Sequence, residues 1–459
     1  MRPAAVLVAL LAAALLAWPA ASPASSANGA TPAARGDAGT LSMLLNTRCL
    51  VTQSGAVRCW GYNVNGELGF APAGNPYWGD APGETPQAVN LGLGVTAQAV
   101  AVGSYASCAL SDIGEVLCWG PWTPGEVRQI DLGTGNAAKA ISVGTDHGCA
   151  VLTTGGVRCW GANAYGQLAQ GTTSSPGATT SVPVDLGPGR TAVAVDAGYQ
   201  ASCAILDTGA LPCWGRNQFG QLAQGNIDTI GDDPSETTVG VDLGPGRTAT
   251  AIVSGATSCA ILDTGALRCW GVNNFGQLAQ GNTDWVGDDP GETTVPVDLG
   301  GAKALSVATD GNGVCAVLES GGLRCWGRSH LGAALQGDTN DIGDTTGETT
   351  VPVNLGAGRT ALAVAVAKGT VCLVDQARTL RCWGGGTYGG RASQDSNHYG
   401  TAPSETSAAA IAPVGLGELA VRDWDGDGVR DSADGCRLVA AATATGCPAP
   451  PPPAPPQNP

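Results

Sequence analysis

The chain has 459 residues, 38 acidic against 22 basic side chains and a formal charge of −16, with 43% hydrophobic residues, 70 Gly, 29 Pro and 12 Trp. That charge sign excludes a basic nucleic-acid binder, and this much Gly and Pro excludes a long-helix or coiled-coil protein. The apolar fraction is ample for a core, so the chain does not read as disordered.

At the N-terminus, Met1-Arg2-Pro3 precedes an apolar run from Ala4 to Trp18, and small residues lead into Ala24-Ser25-Ser26-Ala27. One positive charge, a short apolar stretch and small residues near a cleavage point predict a secretory signal peptide over residues 1–27. A permanent membrane helix needs about 20 apolar residues, and no later segment offers them. No Cys lies near the cleavage region, which argues against a lipid anchor. Residues 28–40 read as a flexible leader. The mature protein is expected to be secreted, periplasmic or on the cell surface, with no transmembrane segment after signal cleavage.

Sixteen Cys then fall in eight close pairs. Seven pairs have nine residues between partners: Cys49 with Cys59, Cys108 with Cys118, Cys149 with Cys159, Cys203 with Cys213, Cys259 with Cys269, Cys315 with Cys325, and Cys372 with Cys382. The eighth is Cys436 with Cys447. An even count and an exported chain predict disulfides rather than thiols. No CxxC or Cys/His cluster gathers four zinc ligands.

Each of the seven pairs is followed by Trp-Gly, at Trp60, Trp119, Trp160, Trp214, Trp270, Trp326 and Trp383, and successive copies are 59, 41, 54, 56, 56 and 57 residues apart. Recurrence at this period marks a repeat array. In the copy around Cys203, residues Cys203–Leu206 predict a strand, Asp207-Thr208-Gly209 a turn with Gly in the left-handed position, and Ala210–Trp214 the returning strand. Pairing outward from the turn sets Leu206 opposite Ala210 and Cys203 opposite Cys213, which is what a hairpin-stapling cystine requires. Ala204, Leu206 and Trp214 fall on one face and the cystine on the other, so both faces need cover. A Val/Ala strand such as Ala192–Val195 precedes each hairpin, and an extended segment such as Val182–Leu186 follows one. About four strands per repeat, covered on both sides, predict an all-β fold, a seven-bladed β-propeller over residues 41–420. A β-helix rung or a WD40 blade would be shorter.

The block Cys203–Leu222, with Trp160–Leu168 and Trp270–Leu278, resembles the repeat of the RCC1 (regulator of chromosome condensation) family, through the recurring Cys-Trp-Gly-x-Asn-x-aromatic-Gly-Gln-Leu. Ala169, Ala223 and Ala279 stand where that family usually has Gly. The second copy lacks the Gly-Gln-Leu turn, and the sixth and seventh degrade it. The His that often precedes the first hairpin strand survives only as His147. A strand near Val414–Val421 is expected to close the ring.

Acidic loops recur at one blade position: Asn226–Glu236, Asn282–Glu292 and Asp338–Glu348. They are expected to gather on one rim and make it negative. They read either as a recognition surface for a cationic partner or weak calcium sites, or as solvated turns.

Past the repeats, over residues 421–447, Asp423, Asp425, Asp427, Asp431 and Asp434 place oxygens at positions 1, 3, 5, 9 and 12 of a loop with Gly428 at position 6. This spacing wraps one calcium ion. The segment is similar to a thrombospondin type 3 calcium repeat, including the trailing Cys436. Residues 448–459 are a Pro-rich spacer or tail.

No catalytic constellation stands out among the three His (His147, His330, His398), and no loop cradles phosphate. His147 reads as a turn residue beside a strand. The chain is therefore expected to be a non-enzymatic, monomeric protein-binding scaffold. It would meet a protein or cell-surface ligand through a propeller face, with calcium as its cofactor and no nucleic acid. The RCC1 resemblance implies two finer versions: an inhibitor of an exported enzyme, as in secreted bacterial proteins of this fold, and guanine-nucleotide exchange on a small GTPase. The signal peptide and cystines argue against the second. A calcium-stiffened envelope protein is a third reading.

Overall fold

A computed structural model describes residues 41–385, apart from 53, 71–75, 79–85, 122, 235, 237–238, 293, 330–331, 349 and 378, together with Ala408. Those residues form seven antiparallel meander sheets, the blades of a seven-bladed β-propeller. In blade 4 the strands run Ala192–Ala197, Ala201–Leu206, Pro212–Gly215 and Val239–Gly240, in that order from the axis outward. The innermost strands of the others are Leu41–Leu44, Ala97–Val102, Ala138–Val143, Ala249–Val253, Ala304–Thr309 and Ala361–Ala367. Two blades depart from four strands. Blade 1 fills its outer position with two short strands, Tyr77–Trp78 and Gln87–Ala88, and blade 7 has three among the described residues.

The hairpin register is the one the turn chemistry dictates. The Leu206 amide donates to Ala210 O across the Asp207-Thr208-Gly209 turn, and Cys203 faces Cys213. Counting out from the hydrogen-bonded Leu206–Ala210 pair puts the cysteines at a non-hydrogen-bonded position, the closer of the two antiparallel spacings. The same opposition recurs in every blade, and each repeat cystine is formed with its expected partner. Cys49 is bonded to Cys59, Cys108 to Cys118, Cys149 to Cys159 and Cys203 to Cys213. Cys259 is bonded to Cys269, Cys315 to Cys325 and Cys372 to Cys382. Their Cα atoms lie 4.0–4.1 Å apart. The eighth expected pair, Cys436 with Cys447, lies outside the described residues.

Alternation then builds the seams between blades. The cystine face of each blade packs against the Trp face of the next. Cys149 and Cys159 share a cluster with Ala204 and Trp214, and Cys203 and Cys213 share one with Ala260 and Trp270. The ring closes in the same way, because Cys372 and Cys382 of blade 7 pack with Trp60 and Met43 of blade 1. The expected closing strand near Val414–Val421 lies outside the described residues. Six of the seven motif tryptophans are below 2% exposed, and the apolar area they bury is the main cohesion between blades.

Near the axis the innermost strands are also joined by polar groups. The buried Asp196 carboxylate accepts from Ser142 Oγ of blade 3 at 3.0 Å and from Ser254 Oγ of blade 5 at 2.6 Å. Its two oxygens tie three blades together, and it faces no solvent.

Candidate functional site

The most repetitive residues prove to be structural. In the turn after the third strand of blade 4, Asn217 Oδ1 accepts from the Leu222 amide at 2.9 Å and Gln221 Oε1 accepts from the Phe219 amide at 2.8 Å. The turn so fixed offers Gln221 O to the indole N–H of Trp270 in blade 5, at 2.8 Å. Trp119, Trp214, Trp326 and Trp383 make the same bond to Glu67, Gln167, Gln277 and Ala333. The acceptor is a main-chain carbonyl, so the degraded sixth turn still provides it. Blade 2 lacks the turn, and the Trp160 indole N–H has no hydrogen-bond partner among the described residues.

Glycine after each Trp is demanded by space. Gly271 has φ +94°, and a Cβ there would lie 2.2 Å from Ala256 O. Ala169, Ala223 and Ala279, the departures from Gly, also adopt left-handed φ of 51–53°.

His147 corrects its expectation as a turn residue. It begins the second strand of blade 3 and is fully buried. Its Nε2 lies 2.8 Å from Ser202 Oγ, Ser202 Oγ donates to Gln167 O at 3.1 Å, and Nδ1 lies 3.6 Å from Asp146 Oδ1. An Asp-His-Ser series invites a catalytic reading. Here both His147 and Ser202 are 0% exposed inside the seam between blades 3 and 4, and the serine proton is committed to a carbonyl. The series is a polar pin. Burial works to raise the Asp146 pKa, but the neighbouring His147 ring and the Gln167 amide, which donates to Asp146 Oδ1 at 3.3 Å, outweigh it and hold the carboxyl below its ordinary value.

The acidic loops are ordered by their own carboxylates. Glu236 Oε2 accepts from the amides of Gly231, Asp232 and Asp233 at 2.7, 3.1 and 3.1 Å, and Glu292 Oε2 from Gly287 and Asp289 at 2.7 and 3.1 Å. Glu348 repeats the contact with Gly343 at 3.0 Å. Each loop also clasps the preceding blade: Gly231, Gly287 and Gly343 carbonyls accept from Gly171, Gly225 and Gly281. Burial, then the neighbouring Glu and Asp charges, raise the Asp232 and Asp288 pKa values. Among the described residues no group of three or more His, Cys, Asp or Glu is placed to hold a metal ion. The calcium-loop residues Asp423, Asp425, Asp427, Asp431 and Asp434 lie outside the described residues, as do Cys436, Cys447, His330, His398 and the signal peptide.

Meander topology puts these loops, which follow the third strands, on the same face as the tight turns between first and second strands. The Arg216 amide, just past the third strand of blade 4, donates to Gln200 O in that blade's tight turn. Around the axis the tight turns pack backbone to backbone: a Cβ on Gly103, Gly144 or Gly198 would fall 2.3–2.4 Å from the next blade's carbonyl. They rim a shallow cavity of 280 Å³ lined by Leu45, Tyr105, Thr145, Tyr199, Ala256 and Asp310. Three of its side chains are large, apolar and open to solvent: Leu45 is 43% exposed, Tyr105 52% and Tyr199 38%. Tyr199 continues outward as a row of rings, 6.4 Å from Phe219, which stands 5.4 Å from Trp285 edge to face. Arg216 lies 4.5 Å over the Tyr165 ring and 5.7 Å from that of Tyr199. A second cavity, of 360 Å³ and lined by Glu115, Gln129, Asp131 and Asn136 among others, has no aromatic lining residue.

Residues 97–120, 138–167, 192–221 and 253–277 match one family described as Regulator of chromosome condensation (RCC1) repeat, and residues 154–205 match a second of the same description. These segments carry RCC1 repeats. The Ultraviolet-B receptor UVR8 of Arabidopsis thaliana is 27% identical to it over 208 residues, 44% of this chain and 43% of the receptor. The human E3 ubiquitin-protein ligase HERC2 is 27% identical over 143 residues, 30% of this chain and 3% of the ligase. The chain therefore spans less than half the length of these curated relatives. Among solved structures, human WBSCR16 superposes with a TM-score of 0.63 at 17% identity, covering 80% of this chain and 96% of that one. Prp20p of Saccharomyces cerevisiae gives 0.63 at 17%, covering 84% and 88%. At such identity these structures share the fold with this chain.

Proposed function

We propose that this chain is an exported, disulfide-stapled, non-enzymatic scaffold that binds a protein partner with the propeller face bearing the axial turns. The observation that carries the reading is the exposed trio Leu45, Tyr105 and Tyr199 around the axis, on a body whose other large apolar groups are mostly sealed in seams. Exposed aromatics on a rigid rim mark an interaction surface. Seven cystines suit an oxidising compartment, and among the described residues no helix is long and apolar enough to cross a membrane. Secretion is part of the proposal and rests on the sequence of residues 1–27. Calcium in the Asp423–Asp434 loop rests on ligand spacing.

Two structures of the fold come from proteins that bind other proteins: Prp20p, with binding properties to Gsp1p and histones, and yeast RCC1, bound to Kap60. They support protein binding as a use of the scaffold by analogy. Inhibition of an exported enzyme is the finer version of the reading. Guanine-nucleotide exchange is the alternative, and it has fold likeness alone behind it.

A photo-crosslinking residue at position 199 and another at Thr134, on the opposite face, test the reading in culture supernatant and envelope fractions. Capture of one protein from position 199 and none from 134 is expected. Capture from 134 alone overturns the choice of face, and retention of the unprocessed chain in the cytosol overturns export.

A further inference from the structure

The face just described is chemically two-sided. Residues 226–236, 282–292 and 338–348 hold four carboxylates each and no Lys or Arg. Glu236, Glu292 and Glu348 are engaged by backbone amides of their own loops. Asp228, Asp233, Asp284, Asp289 and Asp338 stand exposed. These loops belong to three consecutive blades, 4 to 6, so among the described residues their negative charge forms an arc along that part of the rim.

Apolar rings join the axis to that arc. Tyr199 lines the axial cavity, Phe219 follows it at 6.4 Å, and Trp285 follows Phe219 at 5.4 Å. Trp285 belongs to the second acidic loop, and its Nε1 is anchored 2.8 Å from Asn274 Oδ1. The chain itself shows how such rings take a cation, since Arg216 rests over Tyr165 while Gln200 and Gln218 hold its guanidinium.

We propose that this track docks a basic protein segment led by one bulky apolar side chain. The anchor fills the axial cavity, and the Lys or Arg residues after it run along Tyr199, Phe219 and Trp285 toward the acidic loops. The proposal rests on the reading of this face as the protein-binding one. The axial cavity of 280 Å³ opens to solvent between the turns and gives room for one bulky anchor side chain. Anionic partners are repelled by the arc, and basic ones are steered to it.

The test is calorimetric titration of the full chain with three short synthetic peptides: one with Phe leading a run of Lys and Arg, one with Ala for that Phe, and one with Glu for the basic residues. The first is expected to bind, and its affinity to fall as NaCl rises from about 50 to about 300 mM. The second binds about tenfold more weakly or worse, and the third not at all. Tyr199→Ala costs the first peptide about tenfold in affinity and leaves the melting temperature unchanged. The combined Asp228→Asn, Asp284→Asn and Asp338→Asn variant flattens the salt dependence. Equal binding of all three peptides, binding of none, or binding that ignores both variants overturns the proposal. If crosslinking from position 199 captures an acidic partner, the protein-binding reading stands and the basic-segment assignment falls. Capture confined to position 134 removes both.

Discussion

Replacing a motif tryptophan by phenylalanine isolates one hydrogen bond. Trp270 and Trp160 are both 0% exposed, but only Trp270 donates its indole N–H, to Gln221 O, while the Trp160 N–H has no partner among the described residues. Both Trp→Phe changes shrink the buried ring, and Trp270→Phe also leaves the buried Gln221 carbonyl with only the longer contact from Ser258 Oγ at 3.4 Å. Trp270→Phe is therefore expected to destabilise by roughly 1 kcal/mol more than Trp160→Phe, read from chemical denaturation midpoints. Equal losses would show that the indole bond contributes nothing. The Asp146–His147–Ser202 pin gives a pH signature. A depressed Asp146 pKa contributes stability above the ordinary unfolded value of about 3.9, and that stability is lost as pH falls through the lower folded value. Asp146→Asn should then show a shallower loss of melting temperature in acid than the parent, with the two curves parallel at neutral pH. The motif residues were legible one by one, but their partners were not. Gln221 announces a turn, while its carbonyl's partner is a Trp 49 residues further on.

At the scale of the element, the hairpin and its cystine were readable from spacing alone, because turn length and strand parity leave one register. The sulfurs are sealed: the fourteen cysteines of the seven stapled hairpins are 0–2% exposed. In the native protein these fourteen are expected to show no thiol reactive with an aromatic disulfide reagent, and mild reductant to act only after unfolding. Removing one staple by Cys203→Ala with Cys213→Ala should cost roughly 2–3 kcal/mol by the loop-entropy estimate. A smaller loss would mean that the unfolded chain without the staple still keeps the two strands of the hairpin close together. The C-terminal loop carries the calcium prediction. Titration of calcium into chelator-treated full chain should release heat, and Asp427→Ala should abolish it. No heat in the parent would remove calcium from the proposed function. The acidic loops were half legible. Their charge and recurrence are in the composition, but the capping of three amides by Glu236 depends on how the loop folds back on itself.

For the whole molecule, seven Cys-Trp-Gly copies were enough to anticipate the number of blades, and alternation to anticipate that cystines and tryptophans would occupy opposite faces. The contacts of ring closure were not legible in the repeats. Leu41–Leu44 supply the innermost strand of blade 1, and the blade 7 cystine packs directly on Trp60. The face proposed to bind a partner was the least legible part. Leu45, Tyr105 and Tyr199 share one repeat position, the turn before the first Cys of blades 1, 2 and 4, but they lie far apart in the chain and the repeat does not say that these turns meet around one axis. Local periodicity, turn chemistry and disulfide reach are short-range properties, and the amino-acid sequence alone therefore determined the blade, its register and its staples. Which turns converge on the axis, which carbonyl receives each indole, and whether His147 is sealed or open depend on contacts between repeats. Only the closed ring decides those, because it alone brings seven separate segments within bonding distance.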